Sequence, residues 1–156
     1  MDHEPWDSGR ARDLIEAHAH REGAALPILH ALTDAFGCVP AEAIPMVASA
    51  LNWSRAEVHG VATFYPDFRR EQPGRHVVRL CRSEACQAVG AVALADHARR
   101  RLGIGWHETT SDGEVTLEPV FCLGLCARGP SAMIDGEPAC DLTPDTLDAR
   151  LAELRA

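Results

Sequence analysis

The sequence predicts an α+β protein in which a helical bundle is followed by a small α/β sandwich. In about the first 70 positions, apolar residues recur at the three- and four-residue spacing of amphipathic helices. The later part instead combines short β-branched runs with Asp-Gly turns. The polar segment 69–75, with adjacent Pro and Gly, separates these two patterns. We therefore predict domains at residues 1–72 and 73–156.

The helices of the first domain are marked by apolar stripes and by terminal signals. A first helix is expected from about Arg10 to Arg21. A second begins near Pro27 and ends at Gly37, and a third ends at Asn52. The segment Ser54-Arg55-Ala56-Glu57 has the capping-box pattern that opens a fourth. The stripes of the second and third helices are Ile28, Leu29, Leu32 and Phe36, and Ile44, Val47, Ala48 and Leu51.

The second domain is predicted to alternate strands and helices. A short strand covers His76–Leu80, and the turns Asp112-Gly113 and Asp135-Gly136 each lie between strand-like runs. Pro138 confines its strand to a sheet edge. Thr143-Pro144 provides an N-cap and a first helical residue. Two helices are marked by apolar faces: Ala91, Leu94, Ala95, Ala98 and Leu102, then Leu147, Leu151 and Leu154.

Charge and hydropathy exclude several classes of partner. The net charge of -8 and pI near 5.4 argue against binding to nucleic acid or to anionic lipid, because both require clustered cations. Protein or small-molecule partners are expected instead. Residues 1–5 contain neither a basic stretch nor an apolar run, and no segment approaches the length of a membrane span. We therefore expect a soluble cytoplasmic protein.

Four of the six cysteines form two pairs whose spacing suits metal ligands. Cys81 and Cys86 enclose four residues, Cys122 and Cys126 enclose three, and 35 residues separate the pairs. Without an export signal, cysteines are better explained as ligands than as disulfides. Each pair is predicted on a loop after a strand, and two such loops at one end of a sheet supply the four thiolates of a [2Fe-2S] cluster.

The cysteine spacing is compatible with a structural zinc site as well. Zinc is the main alternative, because pairs of nearby cysteines also satisfy its tetrahedral coordination. Burial of four thiols as small apolar residues is less favoured, since both pairs lie in polar or glycine-containing segments. A thiol-disulfide oxidoreductase is disfavoured because the sequence lacks a Cys-x-x-Cys pair. Cys38 and Cys140 have no nearby partner and are predicted to pack as ordinary residues.

The residues around the cysteines suit an anionic cluster. Cys86 is predicted just before a helix, whose positive N-terminal end, together with Arg82, would favour the reduced form. Gly124 and Gly129 would let the backbone approach the sulfurs and donate N–H groups. The neighbouring leucines would limit solvent access to the cluster: Leu123 and Leu125.

Three stretches resemble the thioredoxin-like [2Fe-2S] subunit family of respiratory complex I, NAD-linked hydrogenases and NAD-dependent formate dehydrogenases. They are Gly60 to Phe68, Cys81 to Cys86 and Cys122 to Pro130. The chain departs from the family pattern at Val115, where an aromatic residue is usual. The resemblance implies a helical domain followed by a thioredoxin-like ferredoxin domain, with the four paired cysteines holding one [2Fe-2S] cluster.

Within this family, the segment Cys81 to Gln87 and the dipeptide His59-Gly60 are most similar to the gamma subunit of molybdenum-containing, NAD-dependent formate dehydrogenase. This likeness implies docking against a flavin/NAD-binding subunit in a complex whose molybdenum-containing subunit oxidises formate. FMN, NAD and the molybdenum cofactor would then belong to partner subunits. The equivalent subunit of complex I or of a nickel-iron hydrogenase is the alternative.

No catalytic residue is predicted in this chain, because a cluster exchanges single electrons with a neighbouring centre. We expect no turnover by the chain alone. Thr63, Phe64 and Tyr65 fit an interface patch and a core segment equally well. His18 and His20 are not expected to be ligands, since alternate residues on a helix face different directions.

Overall fold

The computed structural model describes residues 3–155, which are helical up to Phe64 and contain a five-stranded mixed sheet thereafter. The predicted α+β class, with a helical part preceding a sheet, is confirmed. Contacts between residues divide the described chain into two units, residues 3–72 and 73–155. Residues 1, 2 and 156 of the predicted domains lie outside the described part.

The first unit contains four α-helices: α1 (Ser8–Ala19), α2 (Ala25–Phe36), α3 (Ala43–Leu51) and α4 (Arg55–Phe64). Helix α1 packs against α2 and α3, and α4 packs against the same two helices. Both predicted stripes contribute to the core, although Leu51 lies at its margin. The fully buried side chains of this core include Ile28, Leu29, Leu32, Phe36, Val39, Val47 and Val58.

Local signals set the ends of these helices. Helix α1 begins two residues earlier than predicted, because a carboxylate oxygen of Asp7 accepts from the Arg10 N–H at 2.6 Å and caps the helix. Gly37 and Asn52 end α2 and α3 in the left-handed conformation, with φ of 75° and 54°. The capping box of Ser54 and Glu57 at the start of α4 is also confirmed.

The second unit is built on strands β1 (His76–Cys81), β2 (Glu108–Thr109), β3 (Val115–Val120), β4 (Ala132–Ile134) and β5 (Glu137–Ala139). Their order in the sheet is β2-β3-β1-β4-β5. Strands β1 and β3 run parallel, and the other neighbouring pairs are antiparallel. Because β1 and β3 are parallel and pair from their first residue to their last, they end side by side. The loops that follow these two strands therefore begin next to each other.

Three helices belong to this unit: α5 (Glu84–Ala88), α6 (Ala91–Leu102) and α7 (Pro144–Glu153). Val78 and Leu80 alternate along β1 and so lie on one face of the sheet. That face packs with the predicted apolar faces of α6 and α7, through Leu94, Ala95, Ala98, Leu147 and Leu151. Val115 is fully buried in the same core.

The predicted tight turn at Asp135-Gly136 is confirmed, whereas Asp112-Gly113 lies in a longer loop between the antiparallel strands β2 and β3. Asp135 and Gly136 both have positive φ, 49° and 87°, and join β4 to β5 as a two-residue hairpin. Pro138 lies on β5 at the edge of the sheet. Thr143 caps α7 ahead of Pro144. Within residues 3–155, no helix has the length and apolar character that crossing a membrane requires.

Candidate metal centre

The parallel pairing of β1 and β3 brings the two cysteine segments to the same end of the sheet, where both strands finish. Cys81 is the last residue of β1 and pairs in register with Val120, the last residue of β3. Cys122 follows Val120 by two positions. Strand β4 begins beside Cys81, whose N–H donates to the Ser131 carbonyl at 3.0 Å. Three segments of the chain thus meet at this end of the sheet.

The local structure of the cysteines differs from the prediction that all four lie on loops. Cys81 belongs to a strand, and Cys86 lies inside the short helix α5 rather than before a helix. Cys126 begins a 3₁₀ turn that extends to Arg128. Cys122 alone among these four lies in irregular backbone. The prediction for Cys86 was wrong because the five residues of α5 are too few to show helical periodicity.

The first pair, Cys81 and Cys86, is buried. Their exposed fractions are 2% and 0%, and both pack with Ala91. Burial opposes ionisation of Cys81, but hydrogen bonds from the Ser83 hydroxyl, at 3.3 Å, and the Ser83 backbone outweigh it. Further bonds from the Cys86 thiol and the Leu123 N–H help to lower the pKa of Cys81 to about 7.

Two residues from the segment before β4 contact Cys86. The Ser131 hydroxyl oxygen lies 3.6 Å from Cys86 Sγ, and Ser131 is itself buried. Gly129 comes so close that an added Cβ would lie 3.2 Å from Cys86 Sγ and 3.1 Å from Val89. The predicted close approach of Gly129 to a sulfur is therefore present.

The second pair, Cys122 and Cys126, is exposed, and its two sulfurs lie 3.8 Å apart. The Gly124 N–H donates to Cys122 Sγ at 3.3 Å, as the sequence predicted. Cys122 has φ of 106°, a strained conformation for a residue with a side chain, and such strain is concentrated at functional sites. Contact with the Cys122 sulfur raises the pKa of Cys126.

The two pairs also interact with each other. Leu123, between the cysteines of the second pair, donates its N–H to Cys81 of the first. Negative charge on Cys86 and Cys81 adds to the raised pKa of Cys126, after the larger effect of Cys122. Within residues 3–155, no three or more His, Cys, Asp or Glu side chains converge as they would around a metal ion. The sulfurs are instead arranged two by two.

The second pair has the spacing of two thiolates bound to one metal ion. A tetrahedral ion with metal–sulfur bonds of about 2.3 Å places two sulfur ligands about 3.8 Å apart. The distance between Cys122 Sγ and Cys126 Sγ has this value.

The loop of the first pair supplies positive charge through Arg82, whose buried Nε has no hydrogen-bond partner in the described structure. Its guanidinium carbon lies 5.3 Å from the centre of the Trp106 ring.

The remaining candidates lie elsewhere. Cys38 is buried, which raises the pKa of its thiol, and Cys140 is half-buried beside β5. His18 contacts the Leu14 carbonyl within its own helix, at 2.9 Å. Leu123 and Leu125 are half-buried beside exposed cysteines. Sequence reasoning missed Ser131, because it lies 45 residues from Cys86 and only the sheet brings the two together.

Comparison with known proteins gives relatives that match over most of their length. One is the subunit designated E of NADH-quinone oxidoreductase from Pseudomonas aeruginosa. The chain is 38% identical to it over 146 residues, which cover 91% of this chain and 87% of the relative. The corresponding NADH-quinone oxidoreductase subunit from Escherichia coli is 36% identical over 144 residues, with coverage of 90% and 87%.

A solved structure of an NAD+-reducing [NiFe]-hydrogenase in its air-oxidised state has the same fold, with a TM-score of 0.68 at 22% identity. The match covers 96% of this chain but 24% of the hydrogenase chain, so this protein spans about a quarter of that polypeptide. A family model described as thioredoxin-like [2Fe-2S] ferredoxin matches residues 11–155. The family recognised from the sequence is confirmed, and this chain belongs to the thioredoxin-like [2Fe-2S] ferredoxin family.

Proposed function

We propose that this chain is an electron-transfer subunit that binds one [2Fe-2S] cluster through its paired cysteines. The proposed ligands are Cys81, Cys86, Cys122 and Cys126. The observation that carries the proposal is the meeting of both pairs at the shared end of parallel strands β1 and β3. Membership of a [2Fe-2S] family supports this cluster type over structural zinc.

In this proposal each pair holds one iron. When bound, a [2Fe-2S] cluster accepts and returns one electron. Burial of Cys81 and Cys86 excludes water from one side of the site. The Gly124 N–H donates to Cys122 Sγ, and the Leu123 N–H donates to Cys81, whose thiolate form it favours. The exposed second pair provides the side from which a neighbouring redox centre is reached.

The cluster is tested by analysing the full chain after anaerobic purification. We expect equal amounts of iron and acid-labile sulfide, a brown colour, and an electron paramagnetic resonance signal after reduction by one electron. Zinc without sulfide in a colourless protein would contradict the proposal, because zinc neither changes oxidation state nor binds sulfide here.

For the host complex, we propose a molybdenum-containing, NAD-dependent formate dehydrogenase. The support is the likeness of the segment Cys81 to Gln87 and of His59-Gly60 to its gamma subunit. Complex I is an equally supported second candidate, because the relatives from Pseudomonas aeruginosa and Escherichia coli are NADH-quinone oxidoreductase subunits. In either complex we propose a flavin/NAD-binding subunit as neighbour, with FMN and NAD bound there.

The host complex is identified by purifying a tagged copy from its own organism and sequencing the co-purifying subunits by mass spectrometry. A molybdenum-binding formate dehydrogenase chain with a flavin subunit would support the narrow proposal. Membrane complex I chains or nickel-iron hydrogenase chains would reassign the complex and keep the electron-transfer role. Recovery of no redox partner would contradict both.

We also propose that the two units, residues 3–72 and 73–155, act as separate domains.

We further propose that Phe64 and Tyr65, in the first unit, contact a partner. The core alternative was wrong for Phe64, which is 77% exposed, and Tyr65 beside it is 40% exposed. Their rings lie 5.0 Å apart and form one aromatic surface. Because the Tyr65 ring also packs on the buried Phe68 ring, at 5.8 Å, the test uses Phe64→Ala alone, which is expected to reduce co-purification while leaving the unfolding free energy within about 0.5 kcal/mol. Unchanged co-purification would contradict this contact.

A further inference from the structure

We infer that the Ser131 hydroxyl donates a hydrogen bond to Cys86 Sγ in the loaded protein and thereby raises the reduction potential of the cluster. Ser131 is a positioning and tuning residue that acts through a ligand. This inference rests on the proposed function, since it requires Cys86 to be a cluster ligand. It assigns a specific role to a residue outside the cysteine motifs.

The geometry around Ser131 is well defined. Ser131 is 2% exposed, Cys86 is fully buried, and the hydroxyl oxygen lies 3.6 Å from the sulfur, a normal separation for a hydrogen bond to sulfur. The backbone of Ser131 is fixed as well, because its carbonyl accepts the N–H of Cys81 at 3.0 Å. One residue thus contacts both members of the first pair, with its main chain on Cys81 and its side chain on Cys86.

Metal binding decides the direction of this hydrogen bond. In the free thiol either atom can donate. A metal-bound cysteine is a thiolate and has no proton to give, so the hydroxyl must donate. Among the described residues, Cys86 is the one side-chain partner of the Ser131 hydroxyl. A buried hydroxyl that loses its partner is costly, which keeps the O–H directed at the sulfur.

The expected consequence is a shift of the reduction potential. Reduction adds one negative charge, part of which is carried by the sulfur ligands, so a hydrogen-bond donor stabilises the reduced state more than the oxidised state. Water cannot replace this donor without entering a site that is closed at both Ser131 and Cys86. Loss of the hydroxyl therefore lowers the potential.

The first experiment compares the full chain with its Ser131→Ala variant in a redox titration followed by electron paramagnetic resonance. We expect unchanged iron and sulfide content, with reduction less favourable by about tenfold, equivalent to about 59 mV for one electron. Ser111→Ala is the matched control, because Ser111 is an exposed serine in the turn before β3, at the opposite end of that strand from Cys122. Equal potentials for Ser131→Ala and Ser111→Ala would overturn the inference.

A second pair of variants separates the hydroxyl from the shape of the side chain. The side chains of Thr and Val have the same shape, so Ser131→Thr and Ser131→Val place the same bulk beside Cys86. Only the Thr side chain keeps an O–H. We expect the Thr variant to have the higher potential. We also expect resonance Raman bands of the iron–sulfur bonds to shift more in heavy water for Thr than for Val. Identical potentials and band shifts in Thr and Val would overturn the inference even if the Ala variant fails to load.

Different results would contradict the cluster proposal and the inference about Ser131. If the unmodified chain contains no iron and sulfide, the cluster proposal fails and Ser131 has nothing to tune. If the unmodified chain contains the cluster but Ser131→Ala, Ser131→Thr and Ser131→Val all titrate with its potential, the cluster proposal stands and the inference about Ser131 is wrong.

Discussion

The two cysteine pairs lie at the same end of one sheet, but one pair is buried and the other is exposed. Cys81 and Cys86 are buried, belong to a strand and a helix, and have serine hydroxyls as neighbours. Cys122 and Cys126 are exposed, and Cys122 has a strained backbone. The first pair is therefore part of the hydrophobic packing of the unit, whereas the second is held mainly by its own turn.

This difference separates two tasks within the proposed site. Buried sulfurs with fixed donors determine how well negative charge is stabilised, because their surroundings cannot rearrange with solvent. Exposed sulfurs determine access, because a partner can approach them directly. Changes at the first pair are thus expected to affect both folding and cluster properties, and changes at the second pair mainly cluster binding.

The largest expected effect is loss of the cluster when a ligand is replaced. Cys86→Ser and Cys126→Ser should each lose most of their iron and sulfide, because a hydroxyl is a poorer ligand than a thiolate. Only Cys86→Ser should also destabilise the cluster-free protein, by about 1–3 kcal/mol in chemical unfolding, since it buries a polar group. Cys140→Ser is the control and should keep its iron. Full iron content in Cys126→Ser would remove that residue from the ligand set.

Ionisation gives the next largest contrast, measured in cluster-free protein by the ultraviolet absorbance of thiolates. Despite its burial, hydrogen bonds lower the pKa of Cys81 to about 7, from about 9 for an unperturbed thiol, so one thiolate should form with a midpoint near pH 7. Contact with Cys122 raises the pKa of Cys126, which should ionise later. Cys81→Ala should lack the early step and Cys126→Ala should keep it. The same early step in Cys81→Ala would contradict the assignment.

The lowered pKa of Cys81 also predicts the sign of a stability change. The folded thiol releases its proton near pH 7, whereas the unfolded thiol holds it until about pH 9. The unfolded state therefore binds more protons between these values, and the contribution of Cys81 to unfolding free energy rises with pH across this window. It is lost as pH falls through about 7. A Cys81 contribution that falls between pH 7 and 9 would contradict the prediction.

Alanine substitutions at Gly129 and Gly124 distinguish the effect of close packing from the effect of backbone conformation. Gly129→Ala should destabilise the chain by about 1–3 kcal/mol and lower its iron content, because the new Cβ would press on Cys86 Sγ and Val89. Gly124→Ala, at φ of 75°, should cost about 1 kcal/mol from conformation alone, since nothing lies within 4 Å of its Cβ. Thermal unfolding and iron analysis distinguish the two. Equal iron loss in both variants would remove the distinction.

The smallest expected change in stability among the ligand variants comes from release of backbone strain at Cys122. Cys122→Gly should stabilise the cluster-free protein by about 1 kcal/mol in chemical unfolding, because glycine adopts φ of 106° without steric cost. The same variant should fail to bind the cluster. Cys126→Gly is the comparison, and should destabilise the 3₁₀ turn slightly. A destabilised Cys122→Gly variant would show that this conformation stores no strain.

Features that depend on neighbours in sequence could be predicted from the sequence. The capping box at Ser54, the left-handed ends at Gly37 and Asn52, and the hairpin at Asp135-Gly136 involve groups a few residues apart. Their chemistry is local, so the residue types suffice. The paired cysteines were found for the same reason, since each pair lies within one short segment.

Other features were wrong or open because they depend on packing. The helix around Cys86 is too short to show periodicity, and the exposure of Phe64 depends on which surfaces the helices cover. Sequence alone could not separate a patch from a core segment there.

The sequence by itself determined the fold class, the family and the four paired cysteines, because amphipathic spacing, turn chemistry and motif spacing are written in adjacent residues. Only the tertiary structure decided which pair is buried and which donors reach its sulfurs. The parallel register of β1 and β3 and the start of β4 beside Cys81 bring Ser131 to Cys86 across 45 residues. Such contacts arise from the closing of the sheet, and no spacing within a segment encodes them.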